Sequence, residues 1–291
     1  MDLHQLLNAV TVVFIAATMF AAGLGATLPA LRAAFSDVPL LLLVVLANLV
    51  AVPLLGWGLA ALLGLATAPF VALLLTASSP GGPFAVKLGM IQAGDVTTAA
   101  AMQVLLAAVG SVTFSFTANA LLGFAHVGTG AALDVGALVR SVALLQLVPF
   151  AVGLTMRRYA PPTALAWHPA SVKVSDATFL MVLTGMLLGN WADVVALLGT
   201  RTLLAGFLFA AASFGLGTLL STGPPRRRTT MGGVAAVRNI GPALAAVSLA
   251  FDNSPAILGA LAAILLSGVV AALPIAAFLA RHRTAAQSEP T

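Results

Sequence analysis

Residues 78–87 read Ser78-Ser79-Pro80-Gly81-Gly82-Pro83-Phe84-Ala85-Val86-Lys87, and they cut an apolar run that starts near Pro69 and resumes to about Ala93. A second apolar run, about 229–251, contains Gly232-Gly233-Val234-Ala235-Ala236-Val237-Arg238 and is interrupted around Arg238-Asn239-Ile240-Gly241-Pro242. Both stretches are Gly-Gly-x-x-Ala-Val followed by a cation. Proline and glycine in such runs end or kink a helix. Spans interrupted in this way at corresponding places of two halves point to the binding site of a secondary transporter. Freed backbone groups are tolerated at membrane depth only where protein or a water-filled cavity receives them. The half-helix N-termini then attract anions and the C-terminal ends cations. Kinking for packing is the plainer account, but it does not explain two matching interruptions that each bring an ionisable side chain into the membrane.

The rest of the chain agrees with that setting. It has 291 residues, 60% hydrophobic and 7% charged, where a soluble domain is nearer half apolar and a quarter charged. So little charge cannot cover a soluble globule, and so much apolar surface excludes disorder. A spanning helix needs roughly 20 apolar residues. The expected fold is an all-α integral membrane protein with about nine transmembrane helices. The runs lie at about 8–30, 38–63, 69–93, 95–124, 135–156, 170–190, 200–221, 229–251 and 254–280. Arg32 stops the first, and Ser36-Asp37 caps the second. A loop of His126, glycines and Asp134 precedes the fifth, which ends at Arg157-Arg158. A linker from Pro161-Pro162 to His168 precedes the sixth, and Pro224-Pro225-Arg226-Arg227-Arg228 ends the seventh. We read one transmembrane domain, 1–291, with a first repeat at about 8–124 lacking one leading helix, a second at about 135–280, and a polar tail at 284–291.

Cysteine is absent, which excludes disulfides and thiolate sites. The net charge of +5 reflects topology rather than a nucleic-acid partner. Alternate span ends hold Arg32, Arg157, Arg158, Arg226, Arg227, Arg228, Arg281 and Arg283, whereas the other side holds Arg140 and Arg201. The positive-inside rule then puts the N-terminus outside and the C-terminus in the cytoplasm, in a multi-pass plasma (inner) membrane protein. Met1-Asp2-Leu3-His4 is no basic leader, so the first span is read as retained. No Ser-His-Asp, His-x-x-x-His or phosphate-loop pattern argues for an enzyme.

Lys87 and Arg238 are the two cations inside the breaks. Snorkelling competes with a site role for Lys87, about two turns before Asp95. Asp95 reads as a helix cap, with a proton relay as the alternative. Gln103 lines the site or makes an interhelical hydrogen bond. Asn239 can donate and accept beside freed backbone. Ser78 and Ser79 are placed to cap the half-helix. Asp176 falls beside Lys173, which favours an ion pair at a span start. The triple arginine is read as topological, with anionic-lipid contact second.

On these residues the chain resembles the bile acid:sodium symporter family over nearly its whole length. Pro80-Gly81-Gly82 followed by Gly94-Asp95 resembles the family's Pro-Gly-Gly, broken helix, Gly-Asp pattern. Arg238-Asn239 followed by Leu244-Ala245 resembles its Glu-x-Gly-x-Gln-Asn-x-x-Leu-Ala pattern, and Asn48, five residues before Pro53, falls where the family commonly has a Gln. The resemblance implies inverted repeats, core and panel domains, two broken helices crossing near mid-membrane, and transport of carboxylate-like organic anions by alternating access with sodium at the crossing. The ion ligands depart from it. Ala85-Val86 replace a Ser-Asn pair, Ala99 and Gln103 replace a Ser and a Thr, and Val234 and Arg238 replace a Glu and a Gln. A fixed cation repels sodium by several kcal/mol at about 4 Å and an effective dielectric near 20. The expected site is therefore Asn48, Pro80, Gly81, Gly82, Lys87, Gln103, Arg238 and Asn239, with Lys87 and Arg238 in place of the ions. No cofactor is expected. Sodium or a proton remains the coupling ion, the proton because a buried lysine loses its charge readily. The alternatives are an ordinary sodium symporter using Asn48, Gln103 and Asn239, and a non-transporting receptor or scaffold.

Overall fold

The computed structural model describes residues 3–125, 140, 143–189, 191–197, 199–252 and 254–288, and these are helices joined by turns, without a strand among them. Helix α1, Leu3–Gly25, is followed after a 94° turn by the short α2, Leu28–Ser36. Pro29 sits in the first turn of α2, where a missing N–H costs nothing. The first span thus ends before residue 30, and Arg32 rides on α2 rather than stopping α1. Helix α3, Val38–Leu62, begins where Asp37 accepts the Leu40 N–H at 3.2 Å, as expected of a cap. It contains a π-turn at Ala47–Ala51.

Helices α4, Thr67–Ala77, and α5, Phe84–Ile91, flank the first break, and α6 runs Val96–Phe124. The expected loop at 126–134 and the start of the fifth run at 135 lie outside the described residues. A second π-turn, Ala143–Leu147, leads into α7, Val148–Tyr159. Helix α8, Pro161–Gly189, absorbs the stretch read as a linker, because Pro161 and Pro162 occupy its first turn. The remaining helices are α9, Trp191–Ala196, α10, Arg201–Leu219, α11, Pro225–Ala236, α12, Ile240–Ala250, and α13, Pro255–Ser288. The arginine run is therefore the first turn of α11, not a loop. Described residues of the expected polar tail, 284–288, continue α13.

Helix α1 packs on α7 and α8, whereas α10 packs on α11 and α13, and α4 on α3 and α13. The α1–α7 contact is a backbone approach: a Cβ at Gly23 would lie 2.3 Å from the Phe150 carbonyl oxygen, and one at Gly153 2.4 Å from that of Phe20. Close approach over small residues is how helices associate in lipid, which offers no hydrophobic drive between them.

Arginines sit at both ends of α3. At the start of α3, Arg227 Nη1 pairs with Asp37 at 2.9 Å. At its other end Arg201 donates to the Leu63 carbonyl at 2.8 Å. The 25 residues between span about 37 Å at 1.5 Å each, enough to cross a bilayer. Among the described residues three unbroken helices are long and apolar enough to do so, or up to five if each bent pair is one span. The halves of the spans at residues 67–91 and 225–250 are too short to enter that count, so it does not confirm a total of nine.

Candidate functional site

Two breaks meet at the centre of the site. Pro80 and Pro83 have no N–H to continue the α4 ladder. Gly81 takes φ +76°, a region that a side chain disfavours, and a Cβ there would sit 2.4 Å from the Ala107 nitrogen of α6. A Cβ at Gly82 would lie 2.5 Å from the Arg238 carbonyl oxygen. On the other chain segment Val237 and Asn239 are extended, and α12 restarts at Ile240 with Asn239 Oδ1 accepting the Gly241 N–H at 3.2 Å. Gly241 and Pro242 therefore belong to the helix, not to the break as expected. Pro242 falls in the first turn, among the N–H groups that a helix leaves unpaired anyway.

The breaks are tied directly. Asn239 N–H donates to the Ser79 carbonyl at 2.8 Å, and Ser79 Oγ donates back to the Asn239 carbonyl. Gln103 of α6 donates through Nε2 to the Gly81 carbonyl at 3.1 Å, while its Oε1 is buried without a partner. The serines do not cap α5 as expected. Ser78 ends α4 through its backbone N–H, its hydroxyl is buried and unpaired, and Ser79 is spent on the crossing.

Arg238 is buried, with 6% of its surface exposed. Its Nη1 donates to Asn48 Oδ1 at 2.8 Å, and its Nη2 to the carbonyls of Asn48 at 3.1 Å and Ala77 at 2.6 Å. The local sequence explains why the two backbone acceptors are free. In the π-turn the Val52 N–H bonds to Ala47 rather than Asn48, and the next candidate, Pro53, has no N–H. The Asn48 carbonyl is left over. The Ala77 carbonyl closes the C-terminal end of the half-helix α4, the end that carries partial negative charge.

Lys87 is placed differently. It lies on α5 and pairs with Asp176 of α8 at 2.8 Å, with side chains 32% and 40% exposed. The Asp176–Lys173 pair read from helical spacing is not formed: Lys173 is exposed, and Asp176 turns toward α5 instead. Asp95 caps α6, accepting the Thr98 N–H at 3.0 Å and the Thr98 hydroxyl at 2.7 Å, and lies 3.5 Å from Arg227 Nε. Arg226 holds the neighbouring carbonyls of Ala93 and Gly94 at 2.9 and 3.1 Å. The arginine run is thus a clasp on the α5–α6 turn.

Two cavities flank these groups. One, about 90 Å³, has Arg238, Asn239 and Thr76 in a wall otherwise of apolar residues. The other, about 220 Å³, holds Lys87, Asp176, Ser175 and Thr18. Phe14 of α1, Phe84 of α5 and Phe179 of α8 line both. Phe84 stacks on Phe179 at 4.5 Å, and Phe14 meets Phe179 at 5.3 Å. Sequence reading missed this aromatic partition and the part of Asp176. Phe84, directly after Pro83, was the one available signal. The arrangement offers a buried fixed cation, a half-exposed ion pair that an anion can compete for, and an apolar aromatic wall shared by the two cavities.

Residues 12–208, about two thirds of the chain, match the model of the sodium bile acid symporter family. The match covers the first break and stops within α10, ahead of the second. A search of curated proteins finds no match.

Proposed function

The chain belongs to the sodium bile acid symporter family, and from that premise we propose that it is a secondary transporter of a small carboxylate-like organic anion, working by alternating access without classical sodium coupling. The observation that carries this reading is the Arg238 guanidinium, bound to Asn48 Oδ1 and to the Asn48 and Ala77 carbonyls. Oxygens of this kind suit a hard cation, and here a resident cation takes them. Asn239 Oδ1 is likewise occupied by the Gly241 N–H. The donor set does not fit sodium.

In this reading Arg238 fixes the crossing electrostatically, and the substrate carboxylate displaces Asp176 from Lys87. The burial expected to ease loss of a proton from Lys87 is not observed, since its side chain is 32% exposed and paired with Asp176. The apolar body of the substrate lies against Phe14, Phe84 and Phe179. Residues of about 8–124 and 135–280 form the inverted repeats, an assignment supported by the two similar breaks lying against each other. The C-terminus is cytoplasmic, which the gathering of arginines at the Asp37 end of α3 supports.

Proteoliposome uptake of labelled carboxylates, with and without an inward sodium gradient, tests the reading. We expect uptake that survives sodium removal, and a strict sodium requirement overturns it. Sodium symport is the second reading, favoured by Gln103 Oε1, a buried oxygen beside the break with no partner.

A further inference from the structure

Arg32 of α2 and Arg157 and Arg158 at the end of α7 line one cavity of about 310 Å³ at the α1–α2 elbow. Its other walls are Ala26, Thr27, Leu28, Pro29 and Leu154, so no carboxylate lines it. Among the described residues none of the three arginines forms a salt bridge. Arg157 Nη1 is buried and has no hydrogen-bond partner. The arginines of the α11 clasp differ, since Arg226 and Arg227 are engaged by carbonyls or carboxylates.

Three like charges around one hollow repel one another, and a buried donor without an acceptor costs free energy. Both costs are relieved by an anion with several acceptor oxygens. The guanidinium fork matches phosphate in a bidentate way. Thr27 makes no capping bond at the start of α2, so its hydroxyl is also free on this wall.

The surroundings select the source of the phosphate. Helix α2 is turned 94° from α1, as a helix lying along a membrane surface would be. Tyr159, Trp167 and Phe35 on the adjoining segments are exposed by 74%, 58% and 38%. Exposed Trp and Tyr mark the headgroup level of a bilayer, and basic pockets between helices at that level take anionic headgroups. We propose that this pocket binds the phosphate headgroup of an anionic phospholipid, its acyl chains lying along the exposed aromatic and aliphatic side chains around it.

Native mass spectrometry of the full chain in neutral detergent tests this, titrated with phosphatidylglycerol, with phosphatidylcholine of the same acyl chains, and with inorganic phosphate. We expect retained phosphatidylglycerol adducts, at least tenfold weaker binding in Arg32→Gln and Arg157→Gln, partial recovery in Arg157→Lys, and no change in Arg281→Gln. Arg32 is exposed, so its variant keeps the test valid if Arg157→Gln fails to fold. Equal retention of phosphatidylcholine overturns the proposal. So does phosphatidylglycerol binding that is indifferent to Arg32→Gln, and so does stabilisation by inorganic phosphate without lipid retention.

Discussion

Arg238 satisfies three buried oxygens, and two of them, the Asn48 and Ala77 carbonyls, are left over by separate local causes. Removing the guanidinium leaves them buried and unpaired, at about 1–3 kcal/mol each. Arg238→Ala is expected to lower the melting temperature in detergent by several degrees and to abolish uptake. Arg238→Gln, which restores a neutral oxygen-bearing side chain, is expected to fold and to gain a stabilising thermal shift with sodium that the parent lacks. Lys87 belongs to a different regime. Its pair with Asp176 is half-exposed, and such pairs are worth about 0–1 kcal/mol. Lys87→Ala is expected to leave the melting temperature nearly unchanged and to cut uptake at least tenfold, measured by counterflow at matched protein levels. A large thermal loss with normal uptake would assign Lys87 to structure instead.

The breaks are decided by backbone. At Gly81 a side chain meets both a left-handed φ and the Ala107 backbone at 2.4 Å, and strain of this kind costs about 1–3 kcal/mol before any clash. Gly58, on α3, is open by contrast: a Cβ added there would have nothing within 4 Å. Gly81→Ala is expected to unfold or misassemble the chain, and Gly58→Ala to be neutral, read by monodispersity on gel filtration. The same contrast shows what the sequence could and could not display. Pro80, Gly81 and Pro83 announce a break in any apolar run. Pro161 and Pro162 announced one too, wrongly, because a first helical turn accepts proline. Arg226 to Arg228 read as the end of a span because they form a charge run after Pro224-Pro225, and basic residues at a helix start also oppose its dipole. Asp37, Asp95 and the carbonyls at 93 and 94 offset that, and they lie 132 or more positions away. Both π-turns end two residues before a proline, Pro53 or Pro149, a rule that can be read from sequence only once a proline's missing N–H is traced back to the carbonyl it strands.

For the whole molecule, membrane class followed from composition, and the two breaks from local pattern. Their meeting point did not, since Ser79 and Asn239 are 160 positions apart and only folding joins them. The aromatic partition was hidden for the same reason, being assembled from α1, α5 and α8. The arginines read as one set in the sequence, and the structure brings Arg227 to the Asp37 end of α3 and Arg201 to the Leu63 end.

A cation built into the crossing has an electrical consequence. A sodium ion bound with the substrate leaves with it, and its charge is carried across and released. Arg238 never leaves, so under the proposed mechanism each cycle delivers the anion's charge alone. One elementary charge moved through the membrane is worth roughly 2.3 kcal/mol per 100 mV, and an inside-negative cell opposes inward movement of an uncompensated monoanion. In proteoliposomes clamped with potassium and valinomycin, uptake is expected to rise when the interior is made positive and to fall when it is made negative. A co-transported proton would flatten that dependence and replace it with a dependence on pH. Without such a proton, a resident guanidinium turns the cell's voltage into a force that drives this substrate outward.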